Sequence, residues 1–169
     1  IAIGDCVRFI SATDAGQCRG MITEILPRLS KLSRPATVPG QRVFEQVIVS
    51  NADLVIPVFA ATNPPPKWGL LDRYLVTAEA AELPVLIVIT KLDLANGNRK
   101  LDADLETYRR IGYPIHKVSS VTGEDIEGLK EILQGRMSVL IGKSGVGKTS
   151  LLNAIQPGLG LRVKEVSSG

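Results

Sequence analysis

The chemistry of this sequence is concentrated in one short run. Gly142-Lys143-Ser144-Gly145-Val146-Gly147-Lys148-Thr149 satisfies G-x-x-x-x-G-K-[ST] at every position. The glycines let backbone N–H groups curl around phosphate oxygens with no Cβ in the way. A helix expected to start near Lys148 turns its positive end toward the same anion. Lys148 should reach the β- and γ-phosphates, and Thr149 should set its hydroxyl on Mg²⁺. These are the two catalytic positions the sequence offers, with Ser150 completing the binding stretch. The bland alternative is a Gly-rich strand-to-helix turn that binds nothing. The complete motif, with an apolar strand before it and a helix after it, argues against that. The loop by itself specifies a nucleoside triphosphate and not which one.

A second run could read the base. Thr90-Lys91-Leu92-Asp93 follows the β-branched stretch Val85 to Ile89. It matches the [NT]-K-x-D signature by which GTPases recognise guanine. A carboxylate at Asp93 can accept from guanine N1–H and from the exocyclic amine, a donor pair that adenine lacks on that edge. Discrimination based on such a polar pair can be large. Lys91 would lay its aliphatic stem against the base or the loop, and Thr90 would brace the loop. Four residues are a weak signal alone, and the preceding buried strand strengthens it. The third run is Ser119-Ser120-Val121-Thr122-Gly123, where GTPases hold guanine O6 with a backbone N–H. Ser120 stands where alanine is common, a change that keeps the backbone donor. A polar turn capping the next helix is compatible with the same residues. His116 has no partner motif and reads as an ordinary strand residue.

These loops need a frame to converge, and the hydrophobic pattern supplies one. From residue 48 onward strands and helices alternate. Leu54 to Ala61 is an apolar run, and Leu70 to Glu82 is a helix candidate with Leu71, Leu75 and Ala78 on one face. Val85 to Ile89 reads as a buried parallel strand. Leu101 to Ile111 reads as a helix stopped by Gly112. Ile115 to Val118 is a short strand, and Asp125 to Leu133 a helix. Met137 to Ile141 is another strand, and Lys148 to Ile155 another helix, ended by Pro157-Gly158. This alternation implies a parallel sheet wrapped by helices. Pro57 inside the first of these strands predicts a local irregularity, because proline belongs at edges or bulges.

The order of the motifs is unusual. In an ordinary GTPase the phosphate loop comes first and the base motifs near the end; here Asp93 precedes Gly142. A pocket registers only where strand ends meet in space, at the carboxyl edge of an open α/β sheet. The helix Asp125 to Leu133 would then feed the phosphate-loop strand through Gln134-Gly135-Arg136. Natural termini often lie close together, so such a join is physically cheap.

Residues 1 to 47 differ in kind. Gly4-Asp5 is a turn, Cys6 to Ile10 reads as a strand, Asp14-Ala15-Gly16 marks another turn, and Arg19 to Leu26 reads as a second strand. From Arg19 to Arg42 there are five basic residues (Arg19, Arg28, Lys31, Arg34, Arg42) against one acid, Glu24. Pro27, Pro35, Pro39 and Gly40 predict that much of this stretch is loop or linker. It is either a solvated basic loop or a face for nucleic acid. The net charge of +3 only permits an acidic partner. Two cysteines, Cys6 and Cys18, make no disulfide framework and read as free thiols. No stretch approaches the roughly 18 apolar residues of a membrane span.

Taken together, the chain resembles the circularly permuted GTPases that depend on the small ribosomal subunit, the RsgA/YjeQ family. The resemblance rests on Gly4-Asp5, Ile25-Leu26-Pro27-Arg28 with Leu32-Ser33-Arg34-Pro35, Leu71-Asp72-Arg73-Tyr74-Leu75, Thr90-Lys91-Leu92-Asp93 and Gly142 to Ser150. It implies an α/β P-loop GTPase domain, circularly permuted with a mostly parallel sheet, over residues 48–169. Before it, residues 1–47 would be the C-terminal part of a small OB-fold β-barrel that binds RNA. The implied ligands are GTP or GDP with Mg²⁺. The implied partners are the small ribosomal subunit and its rRNA, met in late subunit maturation, with Arg19, Arg28, Lys31 and Arg34 as rRNA contacts. A cytoplasmic location is expected, with the chloroplast stroma as the alternative, and nothing in the sequence demands more than a monomer.

The family's switch I threonine, switch II and Zn²⁺-binding C-terminal domain would follow Gly169. No water-positioning residue is therefore assigned within this chain, and slow turnover by these residues alone is expected. Three other readings stay open. One is a permuted GTPase serving the large subunit, which would lack the β-rich basic opening. Another is an RNA-binding scaffold whose nucleotide site is only a folding element. The last is an ATP-using P-loop enzyme with a chance T-K-L-D, which comparing GDP with ADP affinity would reveal.

Overall fold

A computed structural model describes residues 1–14, 17–36, 44–95 and 97–162. Its centre is a four-stranded, all-parallel sheet in the order β7-β6-β5-β8. The strands are β5 (Leu54–Ala60), β6 (Ile87–Thr90), β7 (Ile115–Lys117) and β8 (Ser138–Ile141). Helices α1 (Trp68–Ala80), α2 (Arg99–Ile111), α3 (Ile126–Leu133) and α4 (Lys148–Ile155) connect or follow them. β5 is buried along its whole length, which explains its unbroken apolar run. Its side chains alternate between two cores, as the two-residue strand period requires. Val55 and Phe59 join Ile87, Ile89, Leu71, Leu75, Leu101 and Leu105 on the α1/α2 face. Leu54, Ile56 and Val58 join Leu86, Val88, Ile126, Leu129 and Leu151 on the α3/α4 face.

The helix limits follow local chemistry. Leu71, Leu75 and Ala78 form the buried stripe of α1. At α2 the Leu101 N–H donates to the Asn98 side chain, which caps the helix. Gly112 closes it with φ of 113°. The irregularity expected at Pro57 is present. β5 meets β6 first in an isolated bridge, Val55 to Val85, and regular pairing resumes only at Val58 to Val88. Pro57 lies in the gap with no N–H to offer the ladder.

The opening segment forms two antiparallel ribbons, β1 (Val7–Asp14) with β2 (Gln17–Ile25), and β3 (Lys31–Ala36) with β4 (Phe44–Ser50). This corrects the expectation of loop through much of Arg19 to Arg42. Lys31–Ala36 is a strand because Leu32 is 1% exposed and packs in the same core as Leu71 and Leu75. Pro35 is tolerated because a two-stranded ribbon leaves one edge of each strand unpaired. The expected division at residue 47 falls within β4, whose Val49 is also part of that core. Ala15, Gly16, Pro39, Gly40 and Arg42, all assigned to turns or the basic loop, lie outside the described residues. No helix among the described residues is long and apolar enough to cross a membrane.

A polar joint ties the first residues to the rest. The Arg28 guanidinium donates to both Asp5 carboxylate oxygens, at 2.7 and 2.9 Å, and the Ala2 N–H donates to the same carboxylate. The Asp5 side chain has no solvent exposure. Gly4 has φ of +90°, and a Cβ there would lie 2.1 Å from the Ser50 carbonyl oxygen. Asn51 completes the joint by donating to the Gly4 carbonyl and accepting from the Leu29 N–H. Hydrogen bonding from Arg28 holds the Asp5 carboxyl well below the usual carboxylate range. Because the folded value is depressed, the pair stabilises the fold above the ordinary carboxylate range and loses that contribution as pH falls below about 4. Arg28→Ala should therefore lower the thermal unfolding midpoint at neutral pH. The gap from the parent should narrow below about pH 4, a trend that circular dichroism melts at several pH values would check.

Candidate nucleotide-binding site

Three loops leave the carboxyl ends of β8, β6 and β7 and meet on one edge of the sheet. The β8 loop carries Gly142 to Gly147. Gly142 lies so close to β5 that a Cβ would sit 2.4 Å from the Val58 carbonyl oxygen. Gly145 and Gly147 have φ of 81° and 92°, where a side chain is strained. Val146 is buried among the α3/α4-face residues and anchors the loop. Lys143 and Ser144 remain exposed, while Lys148, Thr149 and Ser150 are half-buried in the first turn of α4. The Lys148 ammonium donates to the carbonyl oxygens of Gly142 (2.8 Å) and Lys143 (2.7 Å). It thus folds back over the loop it would share with a phosphate. Burial pushes its pKa down from the ordinary lysine value.

The β6 loop is bolted to the phosphate loop by one hydroxyl. Thr90, 1% exposed, donates from Oγ1 to the Val146 carbonyl at 2.5 Å, with the Phe59 carbonyl 3.3 Å away. A Cβ on Gly147 would lie 3.3 Å from the same Oγ1, so the loops are in van der Waals contact. Lys91 takes a left-handed conformation, φ 58°, and its ammonium donates to the Asn63 carbonyl. A short 3₁₀ turn, Leu92–Leu94, then presents Asp93.

The β7 loop meets Asp93 directly. Ser119, fully buried, donates from Oγ to Asp93 Oδ1 at 2.5 Å. The same Oγ accepts from the N–H groups of Val121 (3.3 Å) and Thr122 (3.2 Å). With those two donors turned inward, the Ser120 N–H is left without a protein partner among the described residues. Ser120 is the residue whose N–H the sequence expects to meet a base oxygen.

The structure thus brings together the three motifs that the sequence separates. Two features escaped sequence reasoning. One is the Asn63 carbonyl, which restrains Lys91 and belongs to no motif. The other is the Ser119 hydroxyl, whose several bonds depend on a fold-dependent approach to Asp93. The expected RNA contacts lie on the opening ribbons and the turn between them. Arg28 is engaged with Asp5, Lys31 pairs with Glu45 at 2.7 Å, and the Arg34 Nε–H donates to the Gln46 side chain. Arg19 pairs through its backbone with Ala12, and its side chain lies outside the described residues. Cys6 is free and exposed. Among the described residues no group of His, Cys, Asp and Glu could hold a metal ion.

Thr90→Val tests the bolt between loops. Valine keeps the shape and removes the hydroxyl, so the buried Val146 carbonyl loses its donor. A stability loss of about 1–2 kcal/mol is expected in urea unfolding, together with weaker nucleotide binding. An unchanged midpoint would remove Thr90 from this role.

Comparison with known proteins agrees with this geometry. The sequence model of the RsgA GTPase family matches residues 25–169. The chain is 46% identical over 170 residues to the small ribosomal subunit biogenesis GTPase RsgA of Gemmatimonas aurantiaca, covering 99% of this chain and 53% of that protein. It is 40% identical over 169 residues to the protein of the same name from Azotobacter vinelandii, covering 99% and 47%. Among solved structures, YjeQ from Thermotoga maritima superimposes with a TM-score of 0.73 at 39% identity, over 96% of this chain and 53% of that one. YloQ, described as a circularly permuted GTPase, gives 0.63 at 34% identity, over 92% and 50%. The chain spans about half the length of the curated relatives it matches.

Proposed function

The chain belongs to the RsgA GTPase family, and from that premise we propose that it is the guanine-nucleotide-binding part of a GTPase acting in late maturation of the small ribosomal subunit. The observation that carries this is the coupling of the loops. Thr90 ties the base loop to the phosphate loop, and Ser119 ties both base loops through Asp93. Sites that read both ends of one nucleotide need that rigidity.

Each residue then has a task. Backbone N–H groups of Lys143 to Lys148 enclose the phosphates, and the Lys148 ammonium exchanges its two carbonyl partners for phosphate oxygens. The Thr149 hydroxyl would hold Mg²⁺, which when bound neutralises charge on the β- and γ-phosphates. The Asp93 Oδ2 accepts from the base, held in orientation by the Ser119 hydroxyl on Oδ1. Ser120 donates its N–H to O6, and the Lys91 stem lies along the base. The glycines support this reading by letting the loop take its shape: at 142 the backbone lies against β5, and at 145 and 147 it holds a positive φ.

The wider reading follows the relatives. The ribbons β1–β2 and β3–β4 would be the latter part of an OB-fold barrel; Phe9, Ile10 and Met21 stand exposed on the first, as residues of an incomplete barrel would. Its basic residues, including Arg19, Arg28, Lys31 and Arg34, would meet rRNA, and this binding should weaken steeply with salt. Zinc would be held by residues outside this chain. The protein would act as a cytoplasmic monomer, or in the chloroplast stroma. No residue of this chain is assigned to orient the attacking water, and the chain alone is expected to bind nucleotide and hydrolyse it slowly. The test is phosphate release from GTP by the longer protein, run alone, with small ribosomal subunits and with large ones. Strong stimulation by small subunits only supports the proposal. Stimulation by large subunits, or by neither, overturns the ribosomal assignment.

A further inference from the structure

His116 lies in the middle of β7, outside every nucleotide motif, with its side chain 13% exposed. Its Nε2 sits 3.1 Å from the Asp125 carbonyl oxygen and 3.1 Å from Asp125 Oδ2. A carbonyl oxygen only accepts, so Nε2 carries the hydrogen and donates to this pair of oxygens. Asp125 occupies the N-cap position of α3 with φ of 52°, a left-handed conformation that aspartate can adopt when its short side chain bonds locally. Gly128, one turn later, completes the arrangement: a Cβ there would lie 2.4 Å from Asp125 Oδ1 and 3.5 Å from His116 Cε1. The glycine leaves the space into which the aspartate folds, against the imidazole.

The place of this contact in the chain gives it meaning. His116 stands just before the Ser119–Glu124 loop and Asp125 just after it, so the bond clasps the two ends of the loop. Inside, the loop is closed by Ser119 N–H to the Glu124 carbonyl and Gly123 N–H to the Ser119 carbonyl. The Ser120 N–H projects from that closed loop. A donor on a short loop discriminates only as well as its position is fixed, because hydrogen bonds weaken steeply with misalignment.

We propose that His116 is a positioning residue for guanine specificity, clasping Asp125 so that the Ser120 N–H stays aimed at the position-6 oxygen of the base. This rests on the guanine reading above. The clasp acts through the loop and does not touch the nucleotide.

The experiment compares GDP with 6-thioguanosine diphosphate on the chain itself. The thio analogue keeps both donors that Asp93 reads and replaces the position-6 oxygen with a weaker acceptor. His116→Leu removes the donor, and His116→Gln restores an N–H at nearly the same reach. Expected is about a tenfold loss of GDP affinity in His116→Leu, with the thio analogue changed less than about twofold and His116→Gln close to the parent. Equal losses for both nucleotides, or no rescue by glutamine, would show a merely structural residue and overturn the proposal. So would an unchanged GDP affinity in His116→Leu. If the parent chain itself binds ADP as tightly as GDP, the guanine reading fails and the clasp falls with it, a result recognisable before any variant is made.

Discussion

Lys148→Ala should reduce GDP and GTP affinity by about 100- to 1,000-fold, the loss expected when two charge-assisted bonds to phosphate disappear. The parent structure explains why the effect should be clean. Without ligand the ammonium is held by the carbonyls of Gly142 and Lys143, on a loop whose shape is set independently by Val146, Thr90 and the glycines. Lys143 is exposed, so water can replace the lost donor there. The fold should survive, and urea unfolding should show a midpoint close to the parent's. Guanosine, which has no phosphates, should bind parent and variant equally, so the GDP-to-guanosine ratio isolates the effect. Titration calorimetry with the three ligands would decide it. Normal GTP binding by the variant would mean that Gly142 to Thr149 is only a turn.

Asp93→Asn should invert base preference. Guanine affinity should fall by about 100- to 1,000-fold, since a buried polar pair is replaced by a clash of donors. Xanthosine diphosphate should bind better than it does to the parent. The direction follows from Ser119. Its hydroxyl accepts from Val121 and Thr122 and must donate to residue 93. An asparagine there would turn its oxygen toward Ser119 and leave its NH₂ for the base. Guanine meets that NH₂ with its own amine; xanthine meets it with an oxygen. Adding Ser119→Ala to Asp93→Asn frees the amide to rotate and should reduce the xanthine gain. Unchanged guanine selectivity in Asp93→Asn would take Asp93 out of the base site.

Much of this protein is local, and what is local can be read from residue order. The phosphate loop is legible because its chemistry lies in eight consecutive residues whose glycines have no other reason to be spaced so. The strands and helices after residue 54 are legible because each buries a face at its own period, as Leu71, Leu75 and Ala78 do. Even the disturbance at Pro57 follows from one missing N–H. The permuted order of the motifs is likewise a property of the chain alone, and their meeting at one sheet edge follows from a parallel topology.

Other features depended on residues distant in sequence. Proline and glycine between Arg19 and Arg42 suggest loop, and Lys31–Ala36 became a strand only because Leu32 found a core built by α1. Nothing around Arg28 in the sequence points to Asp5, far earlier in the chain, yet its guanidinium closes on that carboxylate. Thr90, Ser119 and His116 are ordinary residues in sequence. Each acquired its role from hydrogen bonds to groups that folding brings near. Residue type and period were enough to point to a nucleotide and to the strands and helices after residue 54. Which hydroxyl joins two loops and which donor stays free emerge only on folding, because a hydrogen bond depends on separations of tenths of an ångström that no spacing along the chain encodes.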